Sequence, residues 1–219
     1  MRYLALAAVL LAAAPALSQE LTEAEAQVLP RLIDSLCIDL IDARNGCETA
    51  VLLASEEEPD AADLVIFSDR RAHDPQSILA VVRNIAFNGP MFGQAPWLEA
   101  AENGSLLLQS EQIGIGRNPW SRTLTIAFRD DALLIAGFTH ATYDRLDASV
   151  FRCDVNILTG AWEVFAERSG EDPEGPLLYQ SEETGNIEPE TIALVAWDWN
   201  TPMPEPCSAT LTEWWEYAP

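Results

Sequence analysis

Apolar and polar residues change rhythm twice along the chain. From Thr22 to about Leu36, Leu29, Leu32, Ile33 and Leu36 recur at spacings of three and four, which places them on one helical face. Thr22 followed by Glu25 is a capping-box start, and Pro30 is the one position that kinks or restarts such a helix. After Cys47 the period shortens. Glu48–Ser55 and Leu64–Ser68 are β-rich runs, and the acidic, proline-bearing Glu56–Asp60 between them reads as a hairpin loop. Ile78–Phe87 is a third run, stopped by Asn88-Gly89-Pro90. Pro96 opens a short expected helix through Trp97, Leu98 and Ala101. Asn103-Gly104 is a turn and Ser105–Gln109 a strand.

The clearest hairpin follows. In Ser121–Arg129 the residues Leu124, Ile126 and Phe128 alternate with Thr123, Thr125 and Ala127; Asp130-Asp131 turns the chain and Ala132–Phe138 returns. Ser149–Asn156 and Ala161–Glu167 form another hairpin around Leu158-Thr159-Gly160. Gly170–Gly175 reads as an acidic loop, Leu177–Gln180 and Thr191–Trp199 as the last strands, and Pro202, Pro204 and Pro206 as a proline-rich tail. Strands joined by short turns, with no alternating long helices, predict a mainly β protein. Its antiparallel sheets would be curled or stacked in two layers, with one N-terminal helix.

The first residues stand outside this pattern. Arg2, the apolar Leu4–Ala14, Pro15, and small residues at Ala16 and Ser18 before Gln19 have the order of a signal peptide over residues 1–18. The apolar part is shorter than the ~20 residues of a membrane span. No cysteine follows the cleavage position for lipid attachment, and every later apolar stretch is interrupted by charge. The expectation is a single globular β-rich domain over residues 19–219, periplasmic or secreted, with no membrane span or lipid anchor.

Charge sharpens the picture. The chain has 35 acidic and 12 basic residues, all twelve arginine; without Arg2 the mature charge is 11 − 35 = −24. Such a surface disfavours nucleic acid and favours a basic protein partner. Cys37, Cys47, Cys153 and Cys207 are an even set in an exported chain and predict two disulfides. Cys37–Cys47 and Cys153–Cys207 are preferred, because each ties neighbouring segments. No C-x-x-C knuckle supports a thiolate metal site.

Candidate chemistry is sparse. His73 and His140 lack the spacing of a zinc helix. A triad of Ser149 or Ser121 with His140 and Asp144 has no G-x-S-x-G elbow behind it. Gly114-Ile115-Gly116 lacks the third glycine of a phosphate loop, and Arg117 beside it would bind an anion or pair with an acid. Asp42–Gly46 and Glu56–Glu58 with Asp60 and Asp63 only outline a calcium loop. Asn103-Gly104-Ser105 is a formal glycosylation acceptor to which no role is given. No catalytic residue, cofactor or metal is assigned. Trp162, Trp197 and Trp199 read as sheet packing. Trp214, Trp215 and Tyr217 either dock on the body or meet a partner.

The run Trp120–Asp130, then Leu133–Phe138, then Asp154–Gly160 resembles uncharacterised exported bacterial proteins, some of them FG-GAP- or VCBS-like. The resemblance covers residues 120–164 and rests on structural turns. It implies a β-rich periplasmic protein. The D-x-N-x-D-G calcium loops of true FG-GAP repeats are missing, so it implies neither a propeller nor calcium. Two functions follow as expectations: a non-catalytic interaction or accessory protein with a basic partner, or a hydrolase or carbohydrate-binding protein using carboxylates and tryptophans.

Overall fold

The computed structural model describes residues 20–41, 46–69, 76–89, 94–170 and 175–218. The expected signal peptide, His73, Asp42–Asn45 and most of the Gly170–Gly175 loop lie outside them. The chain divides into two units, Met1–Pro30 and Arg31–Pro219.

In the first unit, α1 (Glu23–Val28) starts where the capping box places it. Thr22 Oγ1 accepts from the Glu25 amide at 3.3 Å, and the Thr22 amide donates to Glu25 Oε2 at 2.7 Å. The helix is shorter than its apolar spacing predicts. Leu29–Arg31 form a single 3-10 turn at Pro30, and Leu32–Ile38 are extended as β1. Proline withholds the amide that an α-helix needs, while pairing of β1 with β2 (Glu48–Ala54) satisfies the backbone instead.

The second unit is built from two antiparallel meanders. Strands β1, β2, β3 (Ala61–Phe67) and β4 (Ile78–Phe87) pair in chain order. The larger sheet runs β5 (Trp97–Ala100), β6 (Leu106–Gln112), β7 (Trp120–Arg129), β8 (Ala132–Tyr143), β9 (Val150–Asn156), β10 (Ala161–Arg168) and β11 (Tyr179–Asn186), also in order. The two-residue β12 (Ile192–Ala193) pairs with β8 at Ile135 and Leu134, where β9 has ended. One hydrophobic cluster draws on both sheets, joining Leu52, Leu64 and Ile66 to Leu108, Ile126 and Phe138, so the sheets are two layers over a shared core.

The β7–β8 hairpin forms as its alternation predicts. Asp130 and Asp131 take φ of 49° and 60°, the left-handed pair that a two-residue primed turn requires. Elsewhere pairing overrides local signals. Residues 97–100 are strand rather than helix, because Trp97–Ala100 close onto Leu106–Gln109 through the Asn103-Gly104 turn. The strand expected at Leu177–Gln180 begins at Tyr179 and continues through Glu182, Glu183 and Thr184. Thr191–Trp199 is only β12 followed by a 3-10 turn, Leu194–Ala196.

The proline-rich tail ends in a second helix, α2 (Glu205–Glu216), with Pro206 in its first turn where no amide partner is needed. Both expected disulfides are present: Cys37–Cys47 across the β1–β2 connection, and Cys153–Cys207 joining β9 to α2. They close loops of 10 and 54 residues in sequence separation. In the chain-entropy account, loss of the longer loop's bridge costs ~4 kcal/mol against ~3 kcal/mol for the shorter. The double substitution Cys153→Ala with Cys207→Ala is therefore expected to lower the urea midpoint more than Cys37→Ala with Cys47→Ala. The denatured, unreduced wild-type protein is expected to yield no free thiol.

Candidate functional site

Three features of the second unit concentrate chemistry: a polar groove on the large sheet, an apolar pocket beside the start of α2, and a buried cluster of charge.

The groove lies over the middle of β7, β8 and β9. Leu124, Phe138 and Val155 form one cross-strand row and are buried, which leaves their neighbours Thr123, Thr139 and Asp154 on the other face. A bulge between Thr125 and Ile126 sets Thr125 opposite Gly137. A Cβ at Gly137 would sit 3.3 Å from Thr125 Oγ1 and from the Val155 carbonyl, so a side chain there would crowd the floor of the cleft. Its volume is about 660 Å³. Thr125, Thr139, Asp154 and Asn156 line it, with Arg129 and Asp130 at the β7 end. Thr139 Oγ1 donates to Asp154 Oδ2 at 2.5 Å, and Asn156 Oδ1 accepts from the Thr159 amide at 3.0 Å.

The apolar pocket, about 390 Å³, is walled by Ile157, Ile187, Ile192, Trp197 and Met203. Its charged lining groups are Glu188, Glu190 and Glu205, all exposed; no basic residue lines it. Backbone bonds fix the wall. Ile187 donates to the Gly160 carbonyl at 2.9 Å and Glu190 to that of Ile157 at 3.0 Å. Gly160 has φ 75°, and a Cβ there would meet the Ile187 oxygen at 2.1 Å, so this turn admits only glycine. Trp197 is 5% exposed and forms the floor from the 3-10 turn, not from a strand shared with Trp199.

The charged cluster has a buried centre, Arg168, Asp144 and Asp147, with the half-buried Arg117 at its rim. Arg168, at the end of β10, places Nη2 3.2 Å from Asp144 Oδ2 and 3.8 Å from Asp147 Oδ2. Arg117 donates from Nε to Asp144 at 2.7 Å and from Nη2 to Asp147 at 3.2 Å. Burial alone would raise the Asp144 carboxyl, but the Arg117 hydrogen bond, the Leu146 amide and the Arg117 charge outweigh it and hold it below the usual range. The same acids order the β8–β9 turn: Leu146 donates to Asp144 at 2.9 Å and Ser149 to Asp147 at 3.0 Å, around Ala148 at φ 58°. Trp214 lies 4.3 Å from the Arg168 guanidinium and closes the cluster from outside.

These contacts settle several expected sites. Asp144 is engaged by two arginines, Ser149 Oγ accepts from the Ser169 amide at 2.8 Å, and the buried His140 Nδ1 has no hydrogen-bond partner among the described residues, so no Ser149–His140–Asp144 relay is formed. His140 is 5% exposed on β8, ringed by Trp120, Phe138 and Phe151. Arg117 is a structural pair member. The Gly114–Gly116 segment turns carbonyls of Ile113 and Gly116 toward Arg145, the opposite polarity to a phosphate loop. Glu56 pairs with Arg31 at 2.6 Å and the buried Asp63 with Arg83 at 2.6 Å. Among the described residues no group of three or more histidine, cysteine, aspartate or glutamate side chains is placed to hold a metal ion. None of their helices is long and apolar enough to cross a membrane.

Trp214 is docked, fully buried and donating from Nε1 to the Glu167 carbonyl at 2.8 Å, and is closed to a partner. Trp215 and Tyr217 remain 41% and 47% exposed, Tyr217 stacked on Tyr179. No tryptophan lines the polar groove. Neither groove nor pocket was foreseen in the sequence; the Gly137 and Gly160 positions were the available signals.

Arg168→Met leaves two buried carboxylates sharing Arg117, and is expected to cost ~3–5 kcal/mol in urea unfolding. His140 supplies a second expectation. Burial first, and the Arg122 charge second, push it from 6.5 down to about 4. Between those values the unfolded chain binds a proton that the native one does not, so stability falls as pH drops from 6.5 towards 4, by about 3 kcal/mol in all. Above pH 6.5 the histidine contributes no slope. His140→Phe is expected to flatten the pH dependence of the unfolding free energy within that window alone.

Comparison with protein-family models, with curated proteins and with solved structures finds no match to this chain.

Proposed function

We propose that this protein is an exported, periplasmic, non-catalytic interaction protein that holds a basic, partly apolar segment of a partner protein. The observation that carries the reading is the pocket walled by Trp197, Met203 and three isoleucines, whose charged lining groups are all glutamates. An apolar side chain of the partner would gain from burial against those walls. Flanking arginine or lysine would meet Glu188, Glu190 and Glu205. The wider field acts in the same sense: a net charge of −23 accelerates encounter with cations and repels nucleic acid. The signal-peptide pattern of residues 1–18 and the two disulfides support an oxidising compartment outside the cytoplasm.

The test is fluorescence anisotropy with a labelled peptide alternating arginine and leucine, beside a control with glutamate in place of arginine. The basic peptide is expected to bind, with affinity falling as salt rises. The triple variant Glu188→Gln, Glu190→Gln, Glu205→Gln is expected to weaken it by about tenfold or more, each tenfold being ~1.4 kcal/mol. Equal binding of the acidic peptide, or binding that the triple variant leaves unchanged, would refute the reading.

A further inference from the structure

We propose that the groove over β7, β8 and β9 is a carbohydrate-binding site, separate from the glutamate-rimmed pocket. The groove holds unspent hydrogen-bonding capacity. Thr139 commits its hydroxyl to Asp154 Oδ2, which orients that carboxylate and leaves Oδ1 to accept. Asn156 uses its carbonyl oxygen on the Thr159 amide, which fixes the side chain and leaves its NH₂ to donate. The Thr125 hydroxyl faces the space left by Gly137 and can do either. An acceptor and a donor on β9 and a hydroxyl of both kinds on β7 are thus held either side of β8, whose Thr139 orients the acceptor, the rigid placement that a binding site needs.

The mixture selects the ligand. Vicinal hydroxyls of a sugar donate to a carboxylate and accept from an amide in one plane, whereas a phosphate or a metal ion needs groups of one kind. The groove offers an anion only Arg129, beside two carboxylates, Asp130 and Asp154. A wholly apolar ligand would strand Asp154 and Asn156 without water, at a cost of ~1–3 kcal/mol for each group. Leu134, Ala136 and Leu158 are among the lining residues and supply apolar surface for the C–H face of a pyranose ring. The volume of about 660 Å³ lies inside the ~300–1000 Å³ range of small-ligand clefts. No tryptophan lines the groove, so specificity rests on hydrogen bonds from the sheet rather than on aromatic stacking.

Isothermal titration with maltotriose, cellotriose, mannotriose and chitotriose, each to about 10 mM so that weak affinities register, tests the assignment. At least one trisaccharide is expected to bind. The near-isosteric pair Thr125→Val and Asp154→Asn is expected to weaken that ligand by about tenfold or more while leaving the melting temperature close to wild type. The Glu188, Glu190 and Glu205 triple variant is expected to bind it unchanged. Absence of binding to all four sugars, or affinity retained in the Thr125 and Asp154 variant, would overturn the assignment without touching the peptide reading.

Discussion

The Arg168 guanidinium is the point on which the larger sheet and its C-terminal cover depend. A buried cation is costly to desolvate, and it is tolerated only where opposite charge and a polarisable surface surround it. Asp144 and Asp147 supply the first, from the β8–β9 turn, and Trp214 supplies the second, from α2. Arg117, anchored in the β6–β7 connection, bridges the same two acids. Four separate segments are fixed relative to one another by a single charge network. The positive φ of Ala148, unfavourable for a residue with a Cβ, is held in place by carboxylates that accept amides on either side of it.

Around that point the meander order explains how the acidic charge is distributed. β11 is the outer strand of the large sheet and reads Ser181-Glu182-Glu183-Thr184, a sequence with almost no apolar content. Charge on an edge strand discourages pairing with another chain. At the opposite side β5 lies against β1 of the small sheet, where Asp34 accepts the Leu98 amide at 2.8 Å. The edges of the larger sheet are therefore guarded differently, one by carboxylates and one by the neighbouring layer.

Much of the fold was legible where alternation and turn chemistry agreed, as in β7–Asp130-Asp131–β8, and where two cysteines lay close enough in the fold to bridge. It was not legible where pairing partners overruled local preference. Leu32–Ile38 has helical spacing but belongs beside β2. β11 carries no hydrophobic period because both of its faces are largely exposed. Pro202, Pro204 and Pro206 suggested an irregular tail and hid the start of a helix. The site was less legible than the fold. A groove lined from β7, β8 and β9 with Gly137 in its floor, and a pocket assembled from residues 157 to 205, depend on which strands are neighbours. Periodicity does not contain that information.

The placement of α2 has a consequence for the order in which the structure is completed. Every strand pair except β12–β8 joins consecutive strands, so both sheets are rich in contacts between near neighbours along the chain and can assemble progressively. The cover over Arg168 comes from a helix that follows every strand in the chain. Until α2 docks, the sheet holds an uncovered guanidinium and an unpartnered Cys153. Closure of the fold over Arg168 then waits on α2, and a chain that lacks Cys207 is chemically distinguishable from one that carries it by its free Cys153 thiol.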